Sequence, residues 1–306
     1  MKKFEEYQYL DGEMMTERDK LEVGSKFWNR GKWDNFVAPF LPEDCSDLAF
    51  VDMGCNAGLF LKFAQDRKFG QVIGVDSNEG AVNRGLIWRD KMGGTYQIRL
   101  SEMGDSIDNL PIVDYTTLAN AHYYFTIEKW LDYLDKLQYK TRYCIIVTAE
   151  SRFKNRNAAL TDVPSIRNYF RGWDETGFIN ALPTEGDPMP RKLWSLCFKS
   201  HHIEKAPIES LMSSNHYQDN FYAELDKGTP FQETHYFRVM RRVHRRWPEE
   251  EFINWIRERI KIYEDVKKNR LIKPILIDSE NIILDGNHRC AMMKHLGHKN
   301  VFVRKT

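Results

Sequence analysis

Two short stretches of the 306-residue chain hold residues whose types and spacing could do chemistry. In the first, Phe50-Val-Asp52-Met-Gly54-Cys-Asn56-Ala-Gly58, an apolar run ends in an acid and a glycine-bracketed turn follows. Glycine lets a backbone turn tightly from strand to helix and come close to a ligand. Asp52, at the strand end, can hold a cation or an amine. Asp76 closes the next apolar run, 18 residues after Gly58, where an acid reaches ribose hydroxyls in dinucleotide-type sites. The strict dinucleotide fingerprint wants glycine where Asn56 stands, so a glycine turn of another α/β domain, an NAD enzyme included, is the plain alternative. In the second stretch, Asp285-Gly286-Asn287-His288-Arg289, a strand ends in Asp-Gly and runs straight into a helix start. Backbone N–H groups there favour an anion, and Asn287, His288 and Arg289 would add donors converging on it. The expected ligand is a phosphate or a nucleotide such as ATP or ADP, and a capped helix without ligand is the alternative.

Further candidates surround these. Asn120-Ala-His122-Tyr-Tyr-Phe125 follows an apolar run at the edge where such folds place chemistry. His122 is a candidate general base because imidazole titrates near neutrality, or else a hydrogen-bonded structural histidine. Glu150 ends a later run and could bind a polar substrate or cap a helix. The polar stretch Ser151–Pro190 carries Arg152, Arg156, Arg167, Arg171 and Trp173 and reads as a lid or recognition element, or as a solvated charged face. Asp278, Glu280 or Asp285 could activate a hydroxyl in a kinase, or serve in turns.

Asp52, Gly54, Asn56 and Gly58 together resemble the first motif of the class I S-adenosylmethionine-dependent methyltransferases: an acid, any residue, Gly, any residue, Gly or similar, any residue, Gly. The resemblance spans roughly Trp33 to Lys205. It implies that Asp52 and the loop take the methionine end of S-adenosyl-L-methionine, that Asp76, with Ser77 beside it, binds the ribose, and that adenine lies near Ser101 and Glu102. Asn120 would line the cofactor pocket, and the segment it begins would face the methyl acceptor. From about Arg270 to Arg304 the chain resembles the ParB/sulfiredoxin-like domain, whose nucleotide-binding motif is Asp-Gly, a polar residue, His and Arg. Asn287 stands where sulfiredoxin has its catalytic cysteine, so reductase chemistry is not implied.

The elements needed to position these residues are legible. Leu48–Met53, Val72–Asp76, Tyr96–Leu100, Tyr115–Asn120 and Tyr143–Ala149 read as strands, with helices over Leu59–Gln65, Glu79–Lys91 and Ile127–Leu137. The last of these should bury Trp130, Leu131, Leu134 and Leu137. A helix over Trp33–Leu41 precedes them, and Lys192–Lys199 is a late strand. The alternation predicts an α/β, doubly wound, Rossmann-like sheet, followed by a smaller α+β domain. There, a helix begins at Pro248 with Phe252, Trp255, Ile256 and Ile260 in a stripe. Two strands, Ile272–Asp278 and Ile282–Asp285, lead to the Gly286 helix, which Gly297 closes, and Val301–Arg304 is the final strand. The expected domains are an N-terminal extension at 1–32, a methyltransferase domain at 33–205, a linker at 206–236 and a phosphate-binding domain at 237–306.

Composition bounds the rest. Hydrophobic residues are 42% and charged residues 29%, an ordinary globular mix. No run approaches a membrane span, and the N-terminus lacks the apolar stretch of a secretory signal. The five cysteines are far apart with no C-x-x-C pair, so neither a disulfide framework nor a metal cluster is expected, and a reducing cytoplasm fits. Net charge is +1, which argues against a general nucleic-acid coat but leaves the basic segment Phe237–Arg246 as a local patch. The leading expectation is a methyltransferase acting on a small polar substrate, a sugar or its phosphate. The alternatives are a nucleic-acid methyltransferase that uses the C-terminal domain for binding, and a pair of ligand sensors without turnover.

Overall fold

The structure is a computed structural model describing residues 31–149, 160, 162–180, 193–213 and 217–306. It divides into two compact units, the first ending at His201 and the second comprising Asn109–Ile112 and His202–Thr306. Glu150, Arg152 and Arg156, and the segment 1–30, lie outside the described residues.

In the first unit, apolar runs too continuous for a half-exposed sheet become buried parallel strands, as sheets covered on both faces require. β1 (Ala49–Met53) is buried at every residue. β2 (Gln71–Asp76), β3 (Gln97–Leu100), β4 (Val113–Ala119) and β5 (Thr141–Ala149) run parallel to it. β7 (Leu193–Ser200) joins β5 antiparallel, and β6 (Trp173–Asn180) joins β7 antiparallel at the edge. The order is β3-β2-β1-β4-β5-β7-β6. Strand order reverses between β1 and β4, and in open α/β sheets ligands bind outside the carboxyl ends at such a point.

Local chemistry fixes the helices. α1 (Leu59–Asp66) starts from Gly58, whose φ of 84° is left-handed. α2 (Glu79–Lys91) is capped by Asn78, whose Oδ1 accepts from the Ala81 N–H at 3.1 Å. The short α3 (Met103–Ser106) follows β3. α4 (Ile127–Leu137) is capped by Thr126 and buries Trp130, Tyr133, Leu134 and Leu137. Leu131, expected on that face, is 49% exposed, because it sits one position off the stripe and Tyr133 takes its place. The described part of the expected lid is α5 (Val163–Tyr169) and edge strand β6. Phe170 stacks on Phe198 with centroids 4.1 Å apart, and Arg167 pairs with Glu175 through two hydrogen bonds. β6 extends the sheet at its edge.

The second unit begins earlier than expected. The supposed linker contributes β8 (Glu204–Pro207, which begins just before it) and α6 (Phe221–Asp226), with Phe221 and Tyr222 fully buried. α7 (His235–Val243) and α8 (Glu249–Asn269) follow, then β9 (Ile275–Ile277), β10 (Ile283–Asp285), α9 (Asn287–His295) and β11 (Asn300–Lys305). Its sheet has the order β10-β9-β11-β8. All five cysteines are buried free thiols. Among the described residues no helix is long and apolar enough to cross a membrane.

Candidate functional site

The turn after β1 is shaped by left-handed backbone at Gly54, Asn56 and Gly58 (φ 77°, 51° and 84°). Gly54 has a second reason to lack a side chain: a Cβ there would stand 2.5 Å from the Cβ of Ala121. The turn therefore packs against the segment leaving β4. Asp76 fastens it from the other side. One of its oxygens accepts from the Asn56 N–H at 2.7 Å and the other from the Asn78 N–H at 2.8 Å. The Ser101 N–H donates to the Asp76 carbonyl at 3.0 Å, which brings the Ser101–Glu102 edge beside the β2 end. Ser77 and Glu102 are exposed and Ser101 half-buried.

Asp52 is 2% exposed. Thr117 on β4 donates to its Oδ1 at 2.7 Å, and among the described residues no other hydrogen bond holds the carboxyl. Burial pushes the Asp52 carboxyl up to about 7; the Thr117 bond opposes this, the Asp76 charge adds to it and Lys32 draws it back. The site thus holds an ionisable acid with no counter-cation in hydrogen-bond contact. Asn120 has φ 57°, its N–H donates to the Val147 carbonyl, and its buried Oδ1 has no partner. An orphaned buried acceptor is costly, about 1–3 kcal/mol, and calls for a donor. Two acceptors short of donors therefore flank the glycine turn at the point of strand reversal. That arrangement fits a cofactor carrying an ammonium and a sulfonium.

His122 has the surroundings of a packed histidine rather than of a solvent-reaching base. It is fully buried, with its ring 6.0 Å from Trp130 and 5.5 Å from Tyr123, and neither ring nitrogen is paired. Burial lowers it to about 4. The carbonyls of Leu160 and Leu118 oppose that shift but do not meet hydrogen-bond geometry, so the ring stays neutral and unpaired.

In the second unit the expected convergence on the α9 start is not what forms. Arg289 turns back on its own loop, donating to the Pro274 carbonyl and to Asp285 at 2.6 Å. Asn287 accepts from Ser213 at 2.7 Å. His288 lies between two tyrosine hydroxyls, Tyr222 at Nδ1 and Tyr236 at Nε2, each 2.7 Å away, while Arg259 Nε approaches Nε2 at 3.2 Å. A guanidinium N–H can only donate, so Nε2 is the acceptor and the ring proton sits on Nδ1, donating to Tyr222. Burial and then the Arg259 charge lower His288 to about 3. It is a neutral brace, not a cationic phosphate donor. Asp285 is engaged with Arg289, and Asp278 accepts from the Glu280 and Ile282 N–H groups as a turn residue. Neither is placed as a kinase base.

The sequence matches no family model and no curated protein. Solved structures of similar course exist. One is magnesium protoporphyrin IX methyltransferase from Synechocystis PCC 6803 with bound SAM: 16% identity, 63% of this chain and 88% of that one, TM-score 0.46. Another is the N-methyltransferase NodS from Bradyrhizobium japonicum WM9 in complex with S-adenosyl-L-homocysteine: 13% identity, 50% and 78%, TM-score 0.41. A third is the bifunctional kinase-methyltransferase WbdD: 17% identity, 57% and 39%, TM-score 0.40. The likeness is slight in each case.

Sequence reasoning missed Thr117, Ala121, Asn78 and Arg259. Thr116-Thr117 inside an otherwise apolar strand was a signal for the first; Arg259, one cation on a charged helix, had none.

Proposed function

We propose that the first unit is an S-adenosylmethionine-dependent methyltransferase whose acceptor is a small polar molecule, a sugar or its phosphate. The observation that carries this reading is the buried Asp52 carboxyl, with no cation in hydrogen-bond contact among the described residues, and the unpartnered Asn120 Oδ1, both at the reversal of strand order. When bound, the cofactor supplies a sulfonium methyl to an acceptor nucleophile. Asp52 and Asn120 would hold its cationic methionine end. The Asn56 turn would lie along it, and Asp76 and Ser77, with Ser101 and Glu102, would meet its ribose and adenine. Methyl transfer depends chiefly on orientation, so it does not require His122 as a base. Calorimetry with S-adenosyl-L-homocysteine tests the reading. Micromolar binding, weakened at least tenfold in Asp52→Asn, supports it; binding of NAD without S-adenosyl-L-homocysteine overturns it.

For the second unit we infer a phosphate-binding role, for ATP or ADP, at the start of α9, with Arg259 as the cation in place of Arg289. Arg259 is half-buried, its charge is disfavoured by that burial, and it pairs with no acid. Millimolar ATP should raise the melting temperature of the wild type and not of Arg259→Ala.

A further inference from the structure

Five arginines fall within nine residues, Arg238, Arg241, Arg242, Arg245 and Arg246, with no acid among them. On α7 the buried positions are Tyr236 and Met240, so Arg238 and Arg242 stand on the opposite, exposed side. Arg245 and Arg246 follow and are exposed as well. None of these five pairs with an acid, the three glutamates that open α8 included. Arg241 alone is spent locally: it donates to the Trp247 carbonyl at 3.0 Å.

That bond fixes a second feature. Trp247 is 39% exposed, an unusual state for the largest apolar ring, and it stands directly after the arginines. It is braced from behind. His244 lies 4.4 Å from it and Trp255 5.9 Å, edge-on at 81°. Arg259 lies over the Trp255 ring at 3.4 Å. The Arg259 Nε in turn meets His288, the residue after the first of α9. An exposed aromatic ring and four exposed, unpaired arginines thus lie along one short stretch of chain, and rings and a guanidinium link it to the α9 start.

We propose that this surface binds a single strand of nucleic acid, with phosphates on Arg238, Arg242, Arg245 and Arg246 and a base stacked on Trp247. Cations track a backbone of any sequence, whereas the exposed ring has a partner only where bases are unpaired and splayed out. Duplex offers the arginines phosphates but gives Trp247 nothing to stack on. The site is independent of the methyl-transfer reading of the first unit.

The test is anisotropy of a labelled 12-nucleotide oligouridylate with the full chain. Binding should weaken with salt at a slope of roughly −3 in log–log form, about 0.7 per phosphate contact. Arg245→Glu/Arg246→Glu should lose at least tenfold, and Trp247→Ala roughly tenfold. Arg245→Glu/Arg246→Glu should keep the wild-type melting temperature and Trp247→Ala, which loses its packing on His244 and Trp255, should melt somewhat lower but remain folded at the assay temperature, while Arg245→Lys/Arg246→Lys retains most of the affinity. S-adenosyl-L-homocysteine binding should be unchanged in every one of these variants, and Asp52→Asn should bind the oligonucleotide normally. The proposal is overturned if the wild type does not bind at 50 mM salt, if a duplex of equal length binds as tightly, or if a folded Trp247→Ala binds like the wild type. A sulfated polysaccharide that binds the wild type and Trp247→Ala alike, where the oligonucleotide does not, would show a charge patch only and also overturn it.

Discussion

The Thr117 hydroxyl donates to Asp52 across β4 and β1, the two strands between which the order of the sheet reverses. It is the one hydrogen bond that favours the ionised form of a carboxyl otherwise pushed upward by burial. Thr117→Val keeps the shape and removes the donor. Its Asp52 should titrate above the wild-type value of about 7, and cofactor affinity at pH 7 should fall about tenfold, a hydrogen bond to a charged group being worth about 1.5–3 kcal/mol. The loss should shrink at pH 8.5, where Asp52 ionises in both proteins. Calorimetry at the two pH values decides it, and an equal loss at both would remove Asp52 ionisation from the account.

Stability should carry the same signature. Folding raises the Asp52 value from 3.8 to about 7, so between these values the native state holds a proton that the unfolded chain has released. Its contribution is complete below about 4 and is lost as pH rises through 7. His122, lowered from 6.5 to about 4, acts in the opposite sense: its contribution is present above 6.5 and lost as pH falls toward 4. The two slopes partly cancel in the wild type. The difference between Asp52→Asn and wild type isolates the acid. The variant's advantage in melting temperature should grow from pH 4 to 7 and then level off.

Gly54→Ala should fail on two counts. Its φ of 77° is strained for alanine, and the new Cβ would meet Ala121 at 2.5 Å. A loss of at least about 2 kcal/mol is expected from strain and overpacking together. Denaturant unfolding, with Gly93→Ala as a positive-φ control whose Cβ meets nothing within 4 Å, separates the clash from the strain.

Arg289→Ala should destabilise the second unit instead of simply losing a ligand contact. It leaves the half-buried Pro274 carbonyl without its donor, while Asp285, 67% exposed, is taken up by water, so the change is about 1 kcal/mol. Arg289→Lys should recover part of the melting temperature, since one ammonium cannot span both acceptors as the guanidinium does.

β1, β2 and β5 were readable because their apolar runs are nearly unbroken, and α4 was readable from its apolar spacing, although Tyr133 and not Leu131 completes its buried face. β6 was hidden by its place at the edge: its burial alternates weakly, and a strand with one paired side has little need of apolar residues. β8 and α6 were hidden for another reason. Their buried members, Phe221 and Tyr222 among them, are too few in sequence to show a period. At the site, the glycine turn and Asp76 were legible because backbone geometry leaves a residue signature. The roles of His122, His288 and Arg289 were not, since type and spacing are silent on which neighbour a side chain prefers. His288 found two hydroxyls from α6 and α7, and Arg289 found a carbonyl before β9.

The buried thiols give the two units separate clocks. Cys45, Cys55, Cys144 and Cys197 belong to the first and Cys290 alone to the second. A thiol reagent can modify them only as each unit opens, and burial also holds Cys290 up at about 11, so little thiolate is present in the folded state. Mass added in one step of a single label or in steps toward four would report which unit opened first, and a ligand that belongs to one unit would slow only that unit's labels.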